Sequence, residues 1–596
     1  MERGWLLSRD YSDERLDETF FIRHAVDVKT MEMTTDSFSG RPRYGLFVLA
    51  AIVLLVALPI RAYVATRAVM VSRDTTGFVW YAQQLADNPI EAMQQHVQHP
   101  LYPALVWGAR ASLQVLAPGL TEDPVRGWVV AAVWVTFLSG LVVVVAAYTL
   151  TTALFGQKVG LIAAGLTALA AEFCQLSGDG LTDMSHLMFY LFAMTAAIRG
   201  VRDRRVGYLG VAGFLSGLAY LVRPEGAEVA LVTAGALILF PRNWLRRRRL
   251  AGIVAVSLGA LLVALPYMCL TGKLVQKKSI QQFWKSSGES AEASFGELQG
   301  ARANRLQESA DVVMAGWVEA GLMPRSCTAV GAIGREPSNP RDQSVIAGVA
   351  MGNPWTVVRS LGPITENWGR SLRVTLLLPV VAWLIRRREL PSNTFGCRLV
   401  AAVGTLHLLI LITLIIQFDY WKLFSLRHVM ILAGLTLPFS AAGVAMILDC
   451  VPERRRRLVA SLLWVGLIGP TLPWMLETRH ASNLYLRRAA DWVRAHAETE
   501  PCVLTNRVRV AFYAGGKYVA SPKGAGVGAV LAEARQAGAN WLVFDTRRIM
   551  KDSPHFFVDL ERQTSADHTL MRVHEERGTG KRTGDRAIIY RYRARP

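Results

Sequence analysis

Long apolar runs bounded by short arginine clusters recur along most of this sequence, and they constrain the fold more than any other feature. Windows such as residues 130 to 150 and 250 to 270 are long enough to cross a hydrocarbon core about 30 Å thick. A bilayer offers no water to backbone N–H and C=O groups, so such runs are expected to be helices, which satisfy those groups within one segment. The 596 residues are 52% hydrophobic, yet they include 66 Lys and Arg and 46 Asp and Glu. Both facts hold together only if the charges are segregated from the apolar runs. The net charge of +20 would point to nucleic acid in a soluble protein. Here the excess lies in membrane-flanking clusters, so it reads as a topology signal and no nucleic-acid partner is expected.

Eleven spans are expected: 44–63, 127–150, 158–176, 182–199, 207–222, 225–241, 250–270, 371–385, 397–417, 425–450 and 458–475. Lys and Arg concentrate in short cytoplasmic loops. With the N-terminus inside, Arg202, Arg204 and Arg205, then Arg242 and Arg246 to Arg249, then Arg386 to Arg388, then Arg454 to Arg457 all fall on the inner side. The expected fold class is therefore an all-α polytopic membrane protein with about eleven transmembrane helices and an external C-terminus. A bacterial inner membrane is the expected location.

Residues 1–43 mix acids and bases without an apolar core. They read as a cytoplasmic tail rather than a cleavable signal peptide, or as an over-long start with Met31 or Met33 as alternatives. The membrane part is expected over 44–475, with large external segments at 61–126, 271–370 and 476–596. Function is sought in those segments, because exposed connections carried by a rigid scaffold are where binding groups collect.

Within the first segment, 81–93 and 102–116 have the pattern of short interfacial helices. Residues 483–497 follow an amphipathic helical period, and 502–504 and 541–545 are strand-like apolar runs between glycine-rich turns. A small external α/β domain is expected over 476–596. The six cysteines show no CxxC spacing. Only Cys327 and Cys502 lie in segments that could share an external compartment.

Several polar groups gather on the outer side. Asp74, in Ser72-Arg73-Asp74-Thr75-Thr76-Gly77, could accept a proton from an acceptor hydroxyl or amine at the mouth of a membrane cavity; the alternative is a helix cap. In Gln98-His99-Pro100-Leu101-Tyr102-Pro103 the prolines build a rigid bend, and His99 and Tyr102 could meet a sugar or phosphate. Asp179 and Asp183, in Ser177-Gly178-Asp179-Gly180-Leu181-Thr182-Asp183, could bind a divalent ion or orient an acceptor. Asp183 could equally be a helix-start residue.

Arg223, in Arg223-Pro224-Glu225-Gly226, runs against the positive-inside bias and calls for a partner. Either a lipid phosphate or an internal pair with Glu225 or Asp183 would serve. Lys277 and the pair Arg427-His428 add external cations that suit a phosphate headgroup, although lysines beside a membrane often snorkel as anchors.

In order, these residues are an acidic group after the first span, His-Pro-x-Tyr-Pro, a short acidic loop before the fourth span, Gly217-Leu218-Ala219-Tyr220-Leu221-Val222-Arg223-Pro224-Glu225-Gly226, and Ser425-Leu426-Arg427-His428. The series resembles the GT-C class of glycosyltransferases, in its protein-mannosyltransferase-like and aminoarabinose-transferase-like branch. The resemblance implies a polyprenol-phosphate sugar donor, a lipid, glycan or protein acceptor, inversion at the anomeric carbon, and a catalytic aspartate at Asp74. It places Asp179 and Asp183 at a second acidic motif and Arg223 and Arg427 at donor phosphate contacts. Lys277, His99, Tyr102, Glu225 and His428 are further candidates. Many members have an acidic residue or glycine after the first-loop aspartate, whereas Thr75 stands here, which leaves metal usage open. No other cofactor is implied.

Two rival readings are a lipid or solute transporter and a non-catalytic scaffold. Transporters commonly place charges and helix breaks near the midplane. Here the acids and bases gather at external span ends, which favours the transferase.

Overall fold

The computed structural model describes residues 42–239, 244–272, 354–387, 393–418, 424–566, 569–579 and 583–593. The chain divides into two units, Met1–Ala51 and Ile52–Pro596. The described part of the first is helix α1 (Pro42–Ala51).

The second unit carries the remaining elements. After α2 (Leu58–Arg67) come three helices, α3 (Arg73–Asp87), α4 (Pro89–Gln95) and α5 (Leu101–Leu116). The run 81–93 is therefore divided between α3 and α4. Asn88 caps α4 by accepting from the Glu91 N–H, and Pro89 takes the first helical position, where a missing N–H costs nothing.

Then follow α6 (Pro124–Phe155), α7 (Gln157–Leu169), α8 (Ala171–Ser177), α9 (Thr182–Arg202), α10 (Val206–Val222), α11 (Ala227–Leu239) and α12 (Arg246–Thr271). The last membrane elements are α13 (Pro354–Ser371), α14 (Leu378–Arg386), α15 (Thr394–Phe418), α16 (Met430–Asp449) and α17 (Glu453–Ile468).

Seven helices among the described residues are long and apolar enough to cross a membrane, or nine if two bent pairs each count as one span. The expected span 158–176 is one such pair, α7 and α8, bent by 60°. Arg61 explains how the break survives inside the bundle: it is fully buried, and its guanidinium donates to the carbonyls of Thr167 and Ala168 at 3.1 and 3.0 Å. Those carbonyls have lost their helical partners to the bend.

The expected span 371–385 falls in the second pair, whose halves meet at 93°. The expected runs 207–222 and 225–241 form the 17-residue α10 and the 13-residue α11. Residues 240–243, where 225–241 would end, lie outside the described residues.

Helices α10 and α12 meet backbone to backbone. A Cβ at Gly213 would collide with the carbonyl of Val256, and one at Gly259 with that of Gly210. In a membrane, where apolar burial alone does not drive helix association, such close approach supplies dispersion contact. It also fixes the C-terminal end of α10, where Arg223 follows.

The C-terminal part adds α18 (Leu484–His496), β1 (Cys502–Thr505), α19 (Val508–Ala514), β2 (Lys517–Ala520), α20 (Val527–Gln536), β3 (Trp541–Asp545), β4 (Leu570–Arg577) and β5 (Arg586–Tyr592). The five strands lie in the order β2-β1-β3-β5-β4. β1 pairs parallel with β2 and β3, and β5 pairs antiparallel with β3 and β4. Every residue of β3 is buried, as expected for a strand covered on both faces.

Polar ties dock this sheet on the helices. The Val71 N–H donates to the Tyr513 hydroxyl at 2.8 Å, Gln175 donates to the carbonyl of Met475 at 2.9 Å, and Arg494 pairs with Asp123 at 2.6 Å.

Candidate active site

Ser72 caps α3 by accepting from the Thr75 N–H at 3.2 Å. Asp74 is thus not the cap, and its carboxylate reaches across to Arg427, with Nη1 2.5 Å from Oδ2. The Thr75 hydroxyl donates to the carbonyl of Asp179 at 2.8 Å, which holds the start of α3 against the loop before α9. Gly180 in that loop has φ +68°, and a Cβ there would strike the Thr75 methyl. A left-handed conformation and a close approach together require glycine at this position.

Asp183 lies in the first turn of α9 and its side chain is 0% exposed. It receives two guanidinium groups, Arg223 Nη2 at 3.0 Å and Arg427 Nε at 2.8 Å. Arg223 also donates from Nε to the Thr182 hydroxyl at 2.7 Å.

The internal pair expected as one alternative for Arg223 is therefore formed. The turn Pro224–Gly226 folds back on α10, where Ser216 donates to the Gly226 carbonyl at 2.7 Å. Arg427 and His428 stand in the short turn Leu426–Val429, which Ser425 and the His428 ring close as a reciprocal cap. Arg427 Nη2 and Arg223 Nη1 are not spent on any of these contacts. The side chains of Arg223 and Arg427 are about one-fifth exposed and that of Asp74 is 53% exposed, so the cluster opens toward solvent at Asp74 and is sealed at Asp183.

A cavity of about 30 Å³ lies beside this cluster. Its polar wall includes Asp183, His186, Arg223, Glu225, Arg427 and His428, and its apolar wall includes Ile410, Leu411, Leu414 and Ile431. The His186 Nε2 atom is buried without a hydrogen-bond partner among the described residues. Sequence reasoning missed His186, although its position three residues after Asp183 puts both on one helix face. It also missed His407 and Glu228, which are buried and paired at 2.9 Å. An ionisable side chain inside the apolar run 397–417 is the signal that could have found His407.

The other predicted residues fall elsewhere. Asp179 pairs with Arg479 at 2.8 Å and His480 at 2.9 Å, on the side of the loop facing the C-terminal part. Burial alone would raise its carboxyl, but the Arg479 guanidinium and the hydrogen bond with His480 outweigh burial and hold it below the usual carboxylate range. His99 packs against the rings of Tyr220 and Tyr267, with centroids 4.9 and 5.4 Å away. Tyr102 is fully buried and donates to the Ala132 carbonyl at 3.3 Å. Lys277 lies outside the described residues.

For a divalent ion the donor set does not fit. The Arg427 guanidinium stands between Asp74 and Asp183, and no group of three or more His, Cys, Asp or Glu among the described residues is placed to hold a metal. A wider cleft of about 570 Å³, lined by Trp80, Glu500, Cys502, Lys517 and Tyr518, opens six residues further along α3.

The helical membrane part with its C-terminal five-stranded sheet is a GT-C-type fold. A family model described as dolichyl-phosphate-mannose-protein mannosyltransferase matches residues 124–269, the stretch from α6 to α12 that contains Asp179, Asp183 and Arg223.

Among solved structures, the chain is similar to the archaeal oligosaccharyltransferase AglB from Archaeoglobus fulgidus in complex with an inhibitory peptide and a dolichol-phosphate. The TM-score is 0.51 and the identity 14%, over 85% of this chain and 70% of that one. The apo form of the Archaeoglobus fulgidus oligosaccharyltransferase gives a TM-score of 0.52 at 13% identity, over 86% and 70%. A looser likeness is to apo ArnT from Cupriavidus metallidurans, with TM-score 0.40 and 16% identity over 91% and 97%. No curated protein matches the chain by sequence.

Proposed function

We propose that this membrane protein is an inverting glycosyltransferase that takes a hexose or pentose from a polyprenol-phosphate carrier at the external face and passes it to a lipid, glycan or protein acceptor. One observation carries the reading: two arginines and two aspartates form a half-sealed cluster at neighbouring helix ends, beside a cavity with one polar and one apolar wall. A lipid-linked sugar phosphate has that same division between a charged head and a hydrocarbon tail. Two of the similar solved structures bear on the donor class, since one is a complex with dolichol-phosphate and another, of ArnT from Cupriavidus metallidurans, is bound to undecaprenyl phosphate.

In this mechanism the acceptor hydroxyl attacks the anomeric carbon on the face opposite the phosphate. The new C–O bond forms as the C–O bond to phosphate breaks, and the hydroxyl proton passes to the Asp74 carboxylate. Negative charge builds on the departing polyprenyl phosphate, where Arg223 and Arg427, with Lys277, stabilise it through forked or point-charge contacts. Asp183 holds both guanidinium groups in place, and Asp179 anchors the outer loop. The N-terminus is cytoplasmic, 476–596 form an external α/β domain, and the membrane is a bacterial inner membrane.

The test is transfer from mannosyl-phosphoryl-undecaprenol by purified protein in detergent. Asp74→Asn is expected to lower the rate about 100-fold or more while undecaprenyl phosphate still binds, and the product is expected with inverted anomeric configuration by NMR. Full transfer by Asp74→Asn would sink the reading.

A further inference from the structure

Beside the cavity, whose wall includes His407, three polar side chains that the reaction does not use are buried among apolar helices. The Tyr190 hydroxyl of α9 donates to Glu228 Oε2 at 2.8 Å, Glu228 Oε1 of α11 meets His407 Nδ1 of α15 at 2.9 Å, and His407 Nε2 reaches the carbonyl of His428 at 3.1 Å. Glu228 is 3% exposed and His407 1%. Burying a carboxylate and an imidazole at this depth is costly, so groups kept there are expected to serve a purpose other than packing.

The geometry fixes the direction of the chain. A carbonyl oxygen only accepts, so Nε2 must carry a proton and donate to His428. A single proton then lies between Nδ1 and Oε1, and whichever atom holds it, Nε2–H faces the same carbonyl. That carbonyl belongs to the residue directly after Arg427. The chain thus links α9, α11 and α15 to the short turn Leu426–Val429 that presents the guanidinium to Asp74 and Asp183.

We infer that Tyr190, Glu228 and His407 are positioning residues that set the Arg427 guanidinium for the departing phosphate. This rests on the glycosyl-transfer reading and adds to it three residues that act through Arg427. A hydrogen-bonded pin is suited to the task because this turn is only four residues long, and a small misplacement of a charge-stabilising group costs much of its effect in the transition state.

The test is a double-mutant cycle on monodisperse, folded protein, read as kcat and KM for transfer from mannosyl-phosphoryl-undecaprenol. His407→Leu is expected to lower kcat about tenfold, roughly the worth of one hydrogen bond, with KM little changed. In an Arg427→Lys background the same substitution is expected to change kcat less than about twofold, because a lysine has no fork left to orient.

Glu228→Gln is expected to stay near the parent rate, since the amide can donate to Nδ1 and accept from Tyr190, whereas Glu228→Leu loses as much as His407→Leu. Glu228→Leu also serves as the removal variant if His407→Leu does not fold. Equal losses in both backgrounds, or a Glu228→Gln rate as low as that of Glu228→Leu, would overturn the positioning role while leaving the glycosyl-transfer reading intact. No transfer by the parent protein would instead overturn the functional reading itself.

Discussion

Asp183 shows how much one side chain is asked to do. Its carboxylate is sealed from solvent and neutralised by two guanidinium groups, so removing it takes a buried counterion from Arg223 and leaves Arg427 paired with the exposed Asp74. Breaking a buried pair in this way costs about 3–5 kcal/mol. Asp183→Ala is accordingly expected to lower the melting temperature in detergent clearly, where Asp74→Asn, at an exposed position, leaves it nearly unchanged; differential scanning fluorimetry of the two variants checks this.

The sequence pointed to Asp74, Asp183, Arg223 and Arg427 because each is a charged residue close to the end of an apolar run. His186, Glu228 and His407 were harder to see. Each is one polar residue inside an apolar helix, and only packing reveals which neighbours it meets.

At the scale of elements, the contact of α10 with α12 decides where Arg223 points. Gly213→Leu would force the two helices apart by the width of a side chain and swing the C-terminal end of α10 away from α9. Transfer is expected to fall with the Arg223–Asp183 pair, and the loss should exceed that of Gly235→Leu on α11, where a Cβ meets nothing within 4 Å. Transfer rates of the two variants at equal amounts of folded protein make the comparison.

The apolar runs predicted most helices closely, because a bilayer leaves the backbone no alternative. The breaks in 158–176 and 371–385 escaped notice, since hydropathy does not register a bend whose carbonyls are repaid by a distant arginine. The α3/α4 boundary was legible in Asn88-Pro89, a cap followed by a first-turn proline, but the apolar pattern of 81–93 masked it.

For the whole second unit, the loop before α9 is a junction. Asp183 faces the membrane helices, and Asp179, four residues earlier, holds Arg479 and His480 at the entry to the C-terminal part. The Asp179 carboxyl is held low in the folded protein. Its contribution is therefore fully present above the unfolded value near about 4 and is lost as pH falls through the lower folded value. Hydrogen exchange in 479–483 is expected to stay slow from neutral pH down to that range and to rise in stronger acid, once corrected for intrinsic exchange rates. In Asp179→Asn it should already be fast at neutral pH.

The closeness of α10 and α12 also limits how a greasy substrate can arrive. Where two backbones touch at Gly213 and Gly259, no isoprenoid tail can slip between them. Ile410, Leu411 and Leu414 of α15 offer the opposite wall of the cavity, so a carrier sliding in from the bilayer would enter along that flank. Bulky replacements there should obstruct lipid entry without touching a single charge.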